Sequence, residues 1–446
     1  MKKIIIIPGN TDLNRGDQAL VWESIHLIED VYGKNNVSCM IMSEFEGTHS
    51  HAQNCQTAKL GYKFVNTLLK HPGRKFTTKE EDRKGYSMRT LLHWGLQAIS
   101  DYIHTRLLLS DMAILRSVGE LFLNQKEKET LKDIKGCDAV YVKGGGFIHS
   151  YGSISDPYFI YYLTYHIRLA EAYGKKVFLL PNSIGPLKNS IAREIALRAL
   201  RKCTFVSVRE NISKGLLKKM KVEAHFFPDL GFYLKPSSED MSLYLHKHNV
   251  PLGKRKVIVT LRPYRFQGYN NAERLYANYV QGFSTFLTYL YDKGYHVSFM
   301  AHTLGPSSHE DDRLAIKDVM DNLPDKIREN TSYIEDFALT CTEVEKIYSY
   351  YDYMIGTRFH SVIFSLNVGV PSIAIAYGGN KSKGIMNVLG NEDYSLDMDK
   401  VNGKRLISMF EELVTNKVDY LTNLAQKKFI IDEQRGCLVE KIRSLA

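Results

Sequence analysis

Short apolar runs, each closed by a glycine-bearing or polar loop, alternate along this chain with longer stretches of helical apolar spacing. Ile4–Ile7 reads as a buried first strand, followed by a Gly/Asn loop, a helix from about Asp17 to Tyr32, and a second strand over Val37–Met42. The alternation then breaks, from about Ser43 to Leu131. It resumes at Ala139–Val142, with a helix over about Pro157–Tyr173, strand Lys176–Leu180, a helix over about Ser190–Arg201 and strand Thr204–Val208. A last strand is expected at His225 to Asp229, and the polar stretch Pro236–Lys254 reads as a linker. A second series opens at Val257–Arg262. It continues with a helix (about Glu273–Tyr291), strand His296–Met300, helix Arg313–Met320, a short strand near Tyr333 and helix Thr342–Tyr350. Strand Tyr351–Ile355, a helix ending at Val368, strand Ser372–Tyr377 and a helical tail from Lys400 complete it. Strands alternating with helices at this spacing predict parallel β-α-β units.

With 446 residues the chain exceeds one ordinary core, so two α/β domains are expected. The boundaries are 1–235, carrying a helical and basic insertion over about 43–131, then 255–399, then a tail over 400–446 with room to cross back over the first domain. Apolar content of 44% and charged content of 24% are ordinary for a soluble globular protein. The formal charge, 59 − 49 = +10, and a pI near 9.0 suit anionic ligands or surfaces, although a solvated lysine-rich surface explains charge alone. Nucleic acid is not expected: there is no zinc-finger spacing, no RNP-like strand and no long basic helix.

The 6 cysteines are scattered without Cys-x-x-Cys, against a zinc site or a disulfide framework and in favour of a reducing cytoplasm. Lys2-Lys3 before Ile4–Ile7 is too short a pattern for a signal peptide, and no segment is apolar for long enough to cross a bilayer. Within the insertion, Leu92, Leu96, Ile99, Ile103 and Leu107 recur at helical spacing between Met88 and Ser117, with Trp94 nearby and Arg89, Arg106 and Arg116 among them. Such a helix suits a membrane surface. Cover for its own core or a subunit interface is the favoured expectation, because most amphipathic helices in soluble chains face a core.

Five strand-end loops carry candidate chemistry: Gly9-Asn10 through Asn14-Arg15-Gly16-Asp17, Lys143-Gly144-Gly145-Gly146, Asn182-Ser183-Ile184-Gly185-Pro186, Arg209-Glu210-Asn211-Ile212-Ser213 and Gly356-Thr357-Arg358-Phe359-His360. In a parallel sheet such loops share one edge, where ligands bind. The first lacks the Gly-Lys-Ser/Thr of a P-loop, and Asn14 and Asp17 are equally good turn and cap residues. The three glycines lack dinucleotide-binding spacing; Gly145 and Gly146 permit either a close ligand or a tight turn.

Arg358 and His360 resist a bland explanation, because a cation at a helix N-terminus gains nothing from the helix dipole. An anion shared between Arg358 and the helix amides would account for it, with His360 as hydrogen-bond donor or general acid. Lys381 and Lys383, after the loop at Gly378-Gly379, add cations at the next strand end. Arg209 and Arg262 are further candidate anion ligands, with an interdomain salt bridge to Glu210 or Asp229 as the alternative. There is no Gly-x-Ser-x-Gly elbow, no His-Glu-x-x-His and no convincing metal pair; Asp397-Met398-Asp399 matches one by letter only.

Taken together the motifs resemble the polysaccharide pyruvyl transferase family. The carriers are Gly9, Asn14, Gly16, Asp17 and Ala19; Gly144-Gly145-Gly146; Ser183-Ile184-Gly185-Pro186; Arg209-Glu210 with Ser213; Pro228-Asp229; and Arg358-Phe359-His360-Ser361 with Gly369-Val370-Pro371. They run in order from Ile4 to about Met386, leaving Ser43–Leu131 uncovered. The resemblance implies a glycosyltransferase-B-type fold of two Rossmann-like domains facing a cleft, with the acceptor on the first domain and phosphoenolpyruvate on the second. It implies transfer of pyruvate from phosphoenolpyruvate to two hydroxyls of a cell-surface sugar, giving a ketal and phosphate, with no metal and no cofactor beyond that donor.

Arg358, Phe359 and His360 match family positions for the donor, with Arg209 or Arg262 as a further arginine. His360 is the expected acid, and Asp17 or Asp229 the expected base. The acceptor is a sugar or glycan, free, nucleotide-linked or lipid-linked, and the inner membrane face is one expected place of work. The alternatives on the same fold are a nucleotide-sugar glycosyltransferase or epimerase, or a non-catalytic polysaccharide-assembly protein.

Overall fold

A computed structural model describes residues 1–9, 12–43, 52–74, 86–266, 269–376 and 381–446, without the side chains of 74 and 381–383. The chain divides into two compact units. The first comprises Met1–Asp12, Leu20–Leu230 and Gln434–Ala446; the second comprises Leu13–Ala19 and Gly231–Glu433.

Among the described residues the first unit holds a seven-stranded parallel sheet: β1 (Lys2–Ile7), β2 (Val37–Ser43), β3 (Lys63–Asn66), β4 (Ala139–Val142), β5 (Lys176–Asn182), β6 (Phe205–Val208) and β7 (His225–Phe226). Their order is β3-β2-β1-β4-β5-β6-β7, a doubly wound sheet whose direction switches between β1 and β4. Ile4–Ile7 and Ala139–Val142 are buried, the signature of strands covered on both faces by crossover helices. β3 is an addition to the elements expected from the sequence. It lies inside the stretch read as an insertion, and its four residues are too few to show a period. The crossover helix Gln125–Gly136 begins in that stretch and runs past its end, opened by a capping box between Asn124 and Glu127.

The second unit repeats the plan with six parallel strands: β8 (Lys256–Thr260), β9 (His296–Met300), β10 (Ser332–Ile334), β11 (Tyr353–Gly356), β12 (Ser372–Ala376) and β13 (Ser395–Asp397). The order β10-β9-β8-β11-β12-β13 puts its switch point between β8 and β11. Gly356 pairs with Thr260, so these two strands end level with each other. The stretch read as a linker contains the helix Ser242–Lys247 and groups with the second unit, anchored by the Ser237 N–H donating to Thr342 O. The tail forms helices Gly403–Thr415 and Lys417–Leu445. The end of the latter packs in the first unit, where Arg435 pairs with Glu23 and Asp30.

The segment Met88–Ser117 is helical as expected, over Met88–Arg106 and from Ala113 to Leu121. Its apolar side does not cover the unit's own core, however. Leu92, Leu96, Ile99 and Ile103 are exposed, while Thr90 and Thr105 are buried and Trp94 packs on His71 and Tyr86. Helical periodicity identifies a stripe but not the direction in which it points.

Candidate functional site

The switch point of the second sheet gathers three of the expected cationic residues. β8 ends into Arg262, and β11 ends into Thr357, Arg358, Phe359 and His360. The two ends are tied together: Thr357 N–H and Oγ1 both donate to Thr260 O, and the Thr260 and Ser361 hydroxyls share a 2.8 Å hydrogen bond. Arg358 is the N-cap residue of helix Phe359–Asn367 but makes no capping hydrogen bond. Its side chain instead donates from Nε to Asp312 Oδ1 at 2.7 Å, a pair buried on both sides.

Asp312 opens the helix Asp312–Asp321, and its other oxygen accepts the Thr303 N–H at 2.9 Å. Burial pushes its carboxyl up to about 6, against the pull of Arg358 and Arg262. One buried carboxylate therefore stands amid several cationic groups. His302 is a further member: its Nδ1 and the Tyr348 hydroxyl are hydrogen-bonded at 3.0 Å, and its ring packs on Tyr348 and Phe364. Burial holds it well below the usual histidine range, and the neighbouring Arg15 and Arg358 push the same way, so it is a neutral imidazole. Its Nε2 is buried without a hydrogen-bond partner among the described residues.

The segment Leu13–Ala19 belongs to this same unit. The Leu304 N–H donates to Leu13 O, Asn14 bridges to Thr303, and buried Arg15 donates to the carbonyls of Asp336 and Phe337. Asn14 is a turn residue: its Oδ1 accepts the N–H groups of Gly16 and Asp17, and its Nδ2 donates to Asp17 Oδ2. Gly16 lies directly against His360. A Cβ on Gly16 would stand 2.5 Å from both Cβ and Cγ of the histidine, closer than carbon atoms approach. Gly16→Ala is therefore expected to push the imidazole aside, lowering turnover about 10²-fold. It should cost about 1–3 kcal/mol of stability, read by thermal melting beside the assay.

The remaining expected residues assemble in the first unit. Gly145, at φ +150°, lets the chain leave β4 with its carbonyl accepting the Ser183 N–H. Asn182 donates to Lys143 O and Leu180 O, while its Oδ1 is buried without a partner among the described residues. Gly146 O is hydrogen-bonded to the His149 ring at 3.2 Å. Arg209 donates from Nε to Ser183 Oγ at 2.9 Å and forms a buried ion pair with Asp229.

That pair lies inside one unit, not between domains as the alternative reading had it, because Asp229 follows β7 beside the end of β6. Glu210 is not its partner; it caps the helix Asn211–Lys219 through the Ser213 N–H. Asp229, held by Arg209, is poorly placed for the general-base role expected of it. Of the second-unit lysines, Lys381 and Lys383 begin the helix Lys381–Val388, and their side chains lie outside the described residues, as do Asn10 and Gly378-Gly379.

Asp312 and His302 were missed by sequence reasoning. His302 follows β9 by two positions, so the strand-end rule that singled out Arg262 could have found it. Asp312 carries no local signal, since it follows the capping Asp311 as an ordinary first-turn acid.

Both sheets have the doubly wound order, and the fold is of the glycosyltransferase-B type. The structure aligns with Arabidopsis thaliana UGT89C1 complexed with quercetin (TM-score 0.56, 10% identity, 99% of each chain). It also aligns with a putative UDP-N-acetylglucosamine 2-epimerase from Listeria monocytogenes (TM-score 0.55, 11% identity, 95% of this chain and 90% of that one). At such identities the likeness is one of fold. Residues 14–379 match the family Polysaccharide pyruvyl transferase, and the chain belongs to that family. It is 25% identical over 323 residues to the amylovoran biosynthesis protein AmsJ of Erwinia amylovora, covering 68% of this chain and 73% of that protein.

Proposed function

We propose that this protein transfers the pyruvyl group of phosphoenolpyruvate to two hydroxyls of a sugar in a cell-surface polysaccharide or its precursor. The observation that carries the reading is the group Arg262, Arg358 and His360 at one switch point, with a single buried carboxylate, Asp312, among them. Phosphoenolpyruvate carries a carboxylate and a phosphate, and clustered cationic groups suit both. Arg358, oriented through Nε by Asp312, binds one anionic group; Arg262 binds the other; Phe359 lines the site.

His360 protonates the methylene carbon, leaving an oxocarbenium-like centre that a sugar hydroxyl attacks. Phosphate then departs and the second hydroxyl closes the ketal. Of the two hydroxyl protons released, one balances the new methyl group and the other leaves on phosphate. Asp17, at the start of the helix beside His360, is the candidate base.

The test is phosphate release from phosphoenolpyruvate that depends on an added glycan or lipid-linked sugar, with the ketal methyl group detected by proton NMR. A melting shift with a uridine diphosphate sugar, and none with phosphoenolpyruvate, would instead point to nucleotide-sugar chemistry.

A further inference from the structure

The helix Met88–Arg106 turns its long aliphatic stripe outward. Its inward side sets Trp94 against His71 and Tyr86 and is otherwise held by polar contacts: Thr105 Oγ1 and the Tyr161 hydroxyl are hydrogen-bonded at 2.8 Å, the Tyr158 hydroxyl donates to Asp101, and His104 is paired with Glu127. Its outward side is apolar: Leu92 is 64% exposed, Leu96 68%, Ile99 60% and Ile103 68%, with Met88 on the same side. Ile114 and Leu121 of the following helix, and Phe122 at its C-cap, are exposed as well. A helix of 19 residues runs about 28 Å.

The charges around this face decide what fits it. Every acid between Met88 and Phe122 is engaged by the unit itself: Asp101 as above, Asp111 by Lys202 and Glu120 by Lys135. Arg89 and Arg106, near the two ends of the stripe, are exposed, and no described carboxylate pairs with either. A second copy packing this face about a twofold axis, helices antiparallel, would bring Arg89 of one chain towards Arg106 of the other, with no acid between them. An apolar stripe with a cationic rim instead fits an interface that supplies both acyl chains and negative headgroups.

We propose that the outer face of Met88–Phe122 docks on an anionic lipid bilayer, with the helix Met88–Arg106 lying in the headgroup plane. The apolar side chains enter the acyl boundary, and Arg89 and Arg106 meet lipid phosphates. The face lies wholly in the first unit and takes no part in pyruvyl transfer, so its test needs neither donor nor acceptor.

The full chain is sedimented with vesicles of phosphatidylcholine alone and with vesicles containing phosphatidylglycerol, beside the triple variant Leu92→Glu, Leu96→Glu, Ile103→Glu. These positions are exposed, so the variant is expected to melt at the parent temperature. Light scattering gives the mass of each chain in solution. The proposal expects sedimentation with the anionic vesicles that weakens with salt, and a loss of roughly tenfold or more in the variant. It is overturned if the parent chain does not bind anionic vesicles, or if the variant binds as well as the parent. It is also overturned if the parent is a dimer that leaves vesicles alone and the variant is a monomer, which would make the face a contact between copies.

Discussion

Replacing His360 with asparagine is expected to lower kcat for phosphate release by about 10²- to 10⁴-fold, the usual worth of a general acid, while KM for phosphoenolpyruvate changes little. The split follows from the role proposed for the imidazole. It supplies a proton in the transition state and contributes little to holding the ground-state donor. His360 stands in the first turn of its helix, locked by Ser361 bonding to Thr260 and to Arg358 O, and flanked by Gly16. Asparagine keeps the size and a hydrogen-bonding group, so folding should survive. The pH–rate profile of the residual activity should lose the limb that reports an essential acid. An unchanged kcat would place the acid elsewhere.

Arg358→Ala is expected to lower kcat/KM by about 10²- to 10³-fold, chiefly through KM, because a charge-assisted and geometrically specific contact to the donor is lost. Arg358→Lys should recover only a minor part, since a lysine cannot both meet Asp312 and present a planar fork. The same replacement acts on stability through Asp312. Its carboxyl is already raised to about 6 by burial, so on this group's account the folded state is favoured below about pH 4. That stability is lost as the pH rises through 6, where the folded protein must carry a buried charge. Arg358 softens the cost. Without it the carboxyl should stay protonated to still higher pH. Wild type should therefore lose stability relative to Asp312→Asn between about pH 4 and pH 7, and activity should fall as Asp312 protonates and releases Arg358. Parallel melting curves for the two proteins across that range would refute the account of Asp312.

Much of the fold could be read without coordinates. Ile4–Ile7, Val257–Val259 and Ile373–Ile375 announce buried parallel strands, because a strand covered on both faces has apolar residues at every position. Arg358 was conspicuous because a cation stood where a helix prefers an acid, and the structure shows that it gives up capping to meet Asp312. Arg209 and Arg262 looked alike in the sequence, each closing an apolar strand. They part in three dimensions: Arg209 is consumed by Asp229 and Ser183, whereas Arg262 stands beside Arg358's strand end.

Patterns of short range were enough for most of the strands, the loops that close them and the residues eligible for anion chemistry, because apolar period and strand-end glycines are local properties of the chain. Three things needed long-range packing. Asp312 became Arg358's partner across 46 positions. Leu13–Ala19 joined the second unit, bringing Gly16 against His360. The stripe of Met88–Arg106 turned outward, since the polar residues on its other side found partners in the first unit. A periodic sequence specifies a face, but which neighbour meets that face depends on contacts far along the chain.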